Sequence, residues 1–111
     1  MRDDWGRLQD ILEAIERIEK YAQKGKTQFE KDELIEIWIV HHIQIIGEAA
    51  RGLSEEFRKK YSETPWPEII AMRNILVHHY FGVETEEVWT TVERDMPELK
   101  KKIKKIIEKK R

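Results

Sequence analysis

The stretch "KDELIEIWIVHHIQIIGEAARGL", Lys31 to Leu53, is apolar around more than half of a helical circumference. A helix of that kind should be central in a bundle or pressed against a second subunit. The rest of the chain supplies partners for it. From Asp3 to about Lys24, the residues Trp5, Leu8, Ile11, Leu12, Ile15, Ile18 and Tyr21 recur every three or four positions. That is the spacing of one amphipathic helix, ended near Gly25. Near the C-terminus, Leu99, Ile103, Ile106 and Ile107 form another such stripe. Nowhere does the period-two alternation of a half-buried strand occur, and there is neither a glycine-rich phosphate loop nor an internal repeat. The expected fold is all-α, an up-and-down bundle of four or five helices in one domain over residues 1–111.

The punctuation between these stripes places the boundaries. Thr27 followed by Glu30 has the spacing of a capping box for the second helix, which runs to about Leu53. Ser54 can cap a short helix, "EEFRKKY", and the prolines of "SETPWP" then interrupt helical geometry. A further helix runs from about Pro67 to Tyr80 or Phe81 and stops at Gly82. Thr85 can cap another at Glu86, and Pro97 marks either a kink or a fresh helix start.

Charge and composition narrow the function classes. Apolar residues make up 40% and charged residues 39%, with a net charge of -1, so any nucleic-acid contact must use a local patch and not a bulk basic excess. No apolar run approaches membrane-spanning length, and "MRDDWGRLQD" lacks the apolar block of a signal peptide, so a cytoplasmic, membrane-free protein is expected. The absence of cysteine excludes disulfides, thiolate metal sites and cysteine nucleophiles.

Chemistry concentrates in "MRNILVHHYFGV", Met72 to Val83, which holds half of the four histidines. Wound at about 100° per residue, Ile69, Met72, Ile75 and Leu76 share one face, directed at the core. The opposite side carries Arg73, Val77, Ile70, Asn74 and His78. Apolar residues among those polar groups imply a second, partly buried face, which a symmetric homodimer would cover most simply. Asn74 and His78 lie one turn apart, and Arg73 and Tyr80 lie along one line two turns long. Imidazole titrates near neutrality and guanidinium holds phosphate oxygens through paired hydrogen bonds, so acid-base catalysis and anion binding are both available. RNA carries its own nucleophile in the 2'-hydroxyl. One histidine can remove that proton, a second can protonate the departing 5'-oxygen, and arginine can stabilise the phosphorane-like charge. A single chain offers only His78 in this position; a twofold dimer offers two.

"RNILVHHY", Arg73 to Tyr80, resembles the Arg, four residues, His, any residue, Tyr signature of the HepT-like toxins within the HEPN superfamily. "HIQIIGEAARGLS", His42 to Ser54, is similar to that family's second-helix segment, and the resemblance covers nearly the whole chain. It implies a homodimeric HEPN-like bundle whose shared cleft holds the motif from both subunits. It further implies a metal-independent endoribonuclease without cofactor, the toxin of a toxin-antitoxin pair whose partner is an MntA-like nucleotidyltransferase. By the same resemblance Arg73 and His78 are catalytic, Asn74 supports the arginine, and Tyr80 receives adenylyl groups from the partner. HEPN domains also serve as noncatalytic RNA-, nucleotide- or partner-binding dimerisation modules, which is the alternative.

Other polar residues have plainer readings beside the functional one. His42 shares a broad face with Trp38, Ile45 and Ile46 and reads as a satisfied core histidine. His79 reads likewise, and His41 sits off that face with no catalytic role. Gly47 interrupts a good helical pattern and points to a close helix approach. Glu48, on the same mostly apolar helix, either bonds a histidine or arginine in support of catalysis or stands as an exposed carboxylate. Adjacent helical histidines diverge too far to clamp a metal, so none is expected. Trp66 reads as a hydrophobic staple or interface anchor. The tail "LKKKIKKIIEKKR" reads as a solvated helix face or as an attractant for RNA or the antitoxin.

Overall fold

The computed structural model describes residues 3–78 and 85–110, the side chains of residues 74–78 and 85 excepted. Four long helices carry the bundle: α1 (Asp4–Ala22), α3 (Glu33–Gly52), α5 (Trp66–His78) and α7 (Met96–Lys110). Three six-residue helices join them: α2 (Lys26–Lys31), α4 (Glu55–Lys60) and α6 (Thr85–Thr90). Among the described residues there is no strand.

α1 packs against α3 and α7, and α3 packs in addition against α5. The first pairing is antiparallel: Ser54 just after α3 hydrogen-bonds Asp4, and the Trp38 indole donates to the Arg17 carbonyl at 3.0 Å. α7 also opposes α1, since Lys100 meets Glu19 at 2.7 Å while Lys110 lies over the Trp5 ring. Gly47, near the end of α3, touches Arg73, one to two turns into α5, so α5 turns back along α3. The result is the up-and-down bundle that the periodicity predicts. Its centre is formed by Leu8, Ile11, Ile15 and Ile18 of α1, Ile39, Ile43 and Ile46 of α3, and Ile103 of α7, all fully buried. Burying each such side chain favours folding by roughly 1.5–3 kcal/mol before chain entropy is counted.

The α1–α3 connection departs from the sequence reading. Thr27 and Glu30 do not cap the second long helix. They lie within α2, whose N-cap is Gly25 at φ 91°, with no side-chain cap hydrogen bond. α3 begins afresh at Glu33, where Asp32 Oδ1 accepts from the amides of Leu34 and Ile35. The physical reason is burial: a chain break at Asp32 lets Phe29 turn into the core, where it is 1% exposed. Ser54 caps α4 as expected, its hydroxyl accepting from the Phe57 amide at 3.1 Å.

Trp66 is itself the first residue of α5, one position earlier than expected, and is 2% exposed. It donates to the Tyr61 carbonyl at 3.1 Å, which makes it an anchor within the chain's own core. Pro97 follows a wide π turn, Thr91–Asp95, in which the Met96 amide reaches back five residues to Thr91. Proline cannot donate to the helical ladder, and the widened turn feeds α7 without breaking the chain's direction. The stop at Gly82 lies outside the described residues.

Candidate functional site

Arg73 sits on the seam between α3 and α5. A Cβ at Gly47 would collide with the Arg73 Cβ, and the Arg73 Cα lies 3.4 Å from that same point. Only a glycine leaves room for α5 to lie this close, which is the close approach expected from a glycine inside a good helix. The next residue of α3 completes the seat: Glu48 Oε1 accepts from Arg73 Nη2 at 3.3 Å. The arginine side chain is 23% exposed and the glutamate 60%, so the guanidinium is held at the protein surface with its stem covered. An ion pair that open to water contributes little stability. Its structural consequence is orientation, since the Glu48 carboxylate fixes where the partly covered guanidinium sits against α3.

Asn74 and His78 belong to α5, one turn apart in the backbone, with His78 its last residue. Their side chains, His79 and Tyr80 lie outside the described residues. Of the expected site, the structure therefore brings together Arg73 and Glu48.

In the other histidine pair, His42 is accounted for by packing. His42 is 3% exposed, donates from Nδ1 to the Trp38 carbonyl at 2.7 Å, and stacks on the Trp38 ring at 4.3 Å. Burial pushes its pKa down from the usual histidine value, only partly offset by the Trp38 carbonyl, and so favours the neutral ring. His41 is exposed. Among the described residues no three histidine or carboxylate side chains converge as metal ligands, and no helix is long and apolar enough to cross a membrane.

One surface feature escaped the sequence reading. Leu34 is 78% and Ile37 53% exposed. With His41, Gln44 and Glu48 they recur at intervals of three and four along α3, in a line that ends beside Arg73. A helix that is apolar nearly all round does not reveal which of its apolar residues face outward; that needed the neighbouring helices.

The larger cavities are elsewhere. α5 and α7 leave an open groove of about 480 Å³ floored by Ile69, Met72, Met96 and Leu99. Its rim carries Glu68, Asp95 and Glu98 against Lys102 alone. Such a rim repels phosphate, so size alone does not make this groove the anion site.

Residues 11–106 match the protein family described as ribonuclease HepT-like. A γ-glutamylcyclotransferase and putative RNase of Methanocaldococcus jannaschii is 43% identical over 102 residues, covering 91% of this chain and 46% of that protein. The chain thus spans about half the length of that relative. A putative RNase of Caldanaerobacter subterraneus subsp. tengcongensis is 41% identical over 103 residues, 92% of each chain. A probable ribonuclease HepT of Thermococcus cleftensis is 38% identical over 100 residues, 89% of this chain and 91% of the other. No solved structure matches the chain significantly.

Proposed function

Because the chain belongs to the ribonuclease HepT-like family, and so to the ribonucleases by enzyme class, we propose that it is a metal-independent endoribonuclease toxin. It acts as a homodimer and is silenced by a nucleotidyltransferase antitoxin of the MntA type. The observation that carries this reading is the seat of Arg73: its stem lies against Gly47 and its guanidinium against Glu48, at the end of a line along α3 that begins with the exposed apolar residues Leu34 and Ile37. A second copy packed along the whole α3 line from Leu34 to Glu48 would cover Leu34 and Ile37 and would bring a second Arg73 and His78 to the same face.

In the composite site one His78 takes the proton from a 2'-hydroxyl. That oxygen bonds to phosphorus as the bond to the 5'-oxygen breaks, and the second His78 protonates the leaving oxygen. The products are a 2',3'-cyclic phosphate and a 5'-hydroxyl. Arg73 neutralises the charge that gathers on the non-bridging oxygens, and Glu48 and Asn74 keep it aimed. Adenylylation of Tyr80 would add a phosphate and bulk along the line of Arg73, competing with RNA for the guanidinium.

The test is cleavage of end-labelled RNA in chelator by protein of verified unmodified mass, beside His78→Ala and a substrate lacking the 2'-hydroxyl. Cyclic-phosphate ends, lost in both controls, are the expected outcome. Failure to cleave across varied RNAs would leave a noncatalytic binding module in its place.

A further inference from the structure

The charge of this chain is sorted by position. Residues 96–111 carry eight basic and two acidic side chains, a net +6, which leaves -7 for the rest of a chain whose total is -1. On α7, Leu99, Ile103 and Ile106 turn into the core, so Lys101, Lys104, Lys105 and Lys109 are exposed. Four lysines of this helix are engaged: Lys100 with Glu19, Lys101 with Glu98, Lys102 with the Glu63 carbonyl and Lys110 over the Trp5 ring. Lys104, Lys105 and Lys109 have no ion pair or hydrogen bond among the described residues.

A second basic element meets them. The last turn of α4 carries Arg58, Lys59 and Lys60 after a first turn with Glu55 and Glu56; Lys59 meets Glu55 at 3.2 Å in an exposed pair and the Lys60 ammonium lies 5.5 Å over the Tyr61 ring. Trp5 stacks edge-on against Phe57 of that helix, and the Lys110 ammonium lies 4.9 Å over the same Trp5 ring. α4 and the end of α7 therefore share one pole of the bundle. Lysines in a last turn answer the negative end of a helix, which accounts for Lys109 and Lys110. It does not account for Lys104 and Lys105, which lie a turn or more further in.

We propose that the exposed face of α7 that runs to this pole, Lys104, Lys105 and Lys109, together with Lys59 and Lys60 of α4, is a second, non-cleaving contact for the phosphate backbone of RNA. The inference rests on the ribonuclease reading and concerns how a long substrate is held. α5 starts at this same pole, where the Trp66 indole reaches Tyr61, and Arg73 lies about 10 Å along the helix from it. A strand of more than a few nucleotides spans that distance. A membrane surface fits less well, because a helix that binds lipid must turn its apolar face outward. That face of α7 is already spent in the core.

The experiment compares the full chain with the triple variant Lys104→Glu, Lys105→Glu, Lys109→Glu and with the corresponding glutamine triple. Equilibrium binding of a long single-stranded RNA with methylated 2'-hydroxyls is measured across a salt series, and cleavage is measured on a dinucleotide. The glutamate triple should bind long RNA about tenfold or more weakly, with a salt slope shallower by about two. The glutamine triple should fall between, and dinucleotide cleavage should stay unchanged. Unaltered affinity and slope in folded variants of a protein that cleaves RNA would overturn this proposal alone. A wild-type chain that neither binds nor cleaves RNA would overturn it together with the ribonuclease reading. Binding of phosphatidylserine vesicles through these lysines, with none to RNA, would also overturn it.

Discussion

Gly47 tests how two opposed effects balance at a single residue. Alanine in a helix interior is worth roughly 0.5–1 kcal/mol over glycine. Here the added methyl meets the Arg73 Cβ and backbone, and overpacking typically costs about 1–3 kcal/mol. Gly47→Ala should therefore lower the unfolding free energy by about 1–2 kcal/mol, seen as a lower urea midpoint at unchanged m-value, and should reduce RNA cleavage by displacing Arg73. A stabilised variant would show that α3 and α5 do not approach as described. His42 gives a pH signature. Its folded pKa is lowered, so the unfolded chain takes the proton first. Stability is full above the unfolded value of about 6.5 and falls as pH drops through it. Wild-type melting temperature should drop between pH 7 and pH 5, and His42→Gln should flatten that slope; equal slopes would remove the burial argument. The glycine was readable as a close approach from sequence, and His42 as a core residue. That Arg73 is the group packed on Gly47 was not, because they are 26 positions apart and no local pattern links them.

At the scale of the element, capping separates what a motif promises from what the backbone does. Asp32 accepts two amide hydrogen bonds at the start of α3, so Asp32→Ala should cost about 1 kcal/mol. Thr27→Ala should cost much less, since no side chain caps α2. Thermal melts of the two variants check this directly, and a reversed order would restore the capping box. The spacing Thr27 to Glu30 was a valid local signal that lost to Phe29, whose burial fixed where the chain turned. The long helices themselves, by contrast, were legible at nearly their full lengths. Their apolar residues repeat every three or four positions, and that period is a property of the segment alone.

For the molecule as a whole, the exposed line on α3 predicts self-association. Leu34→Glu with Ile37→Glu should leave helical content intact, convert a dimer to a monomer by sedimentation, and abolish RNA cleavage if the site is composite. A charged variant that stays dimeric would place the interface elsewhere. Sequence alone determined the all-α class, the apolar stripes of the long helices and the polar residues of the Arg73 to Tyr80 segment. Helical period, capping chemistry and residue type are all encoded within a few neighbouring positions. Tertiary structure decided which side of the apolar α3 faces water, that Glu48 and Gly47 form the seat of Arg73, and that the last turns of α4 and α7 meet at one pole. Those outcomes depend on how helices distant in sequence share a limited core, and packing of that kind is settled only when all of them compete for it together.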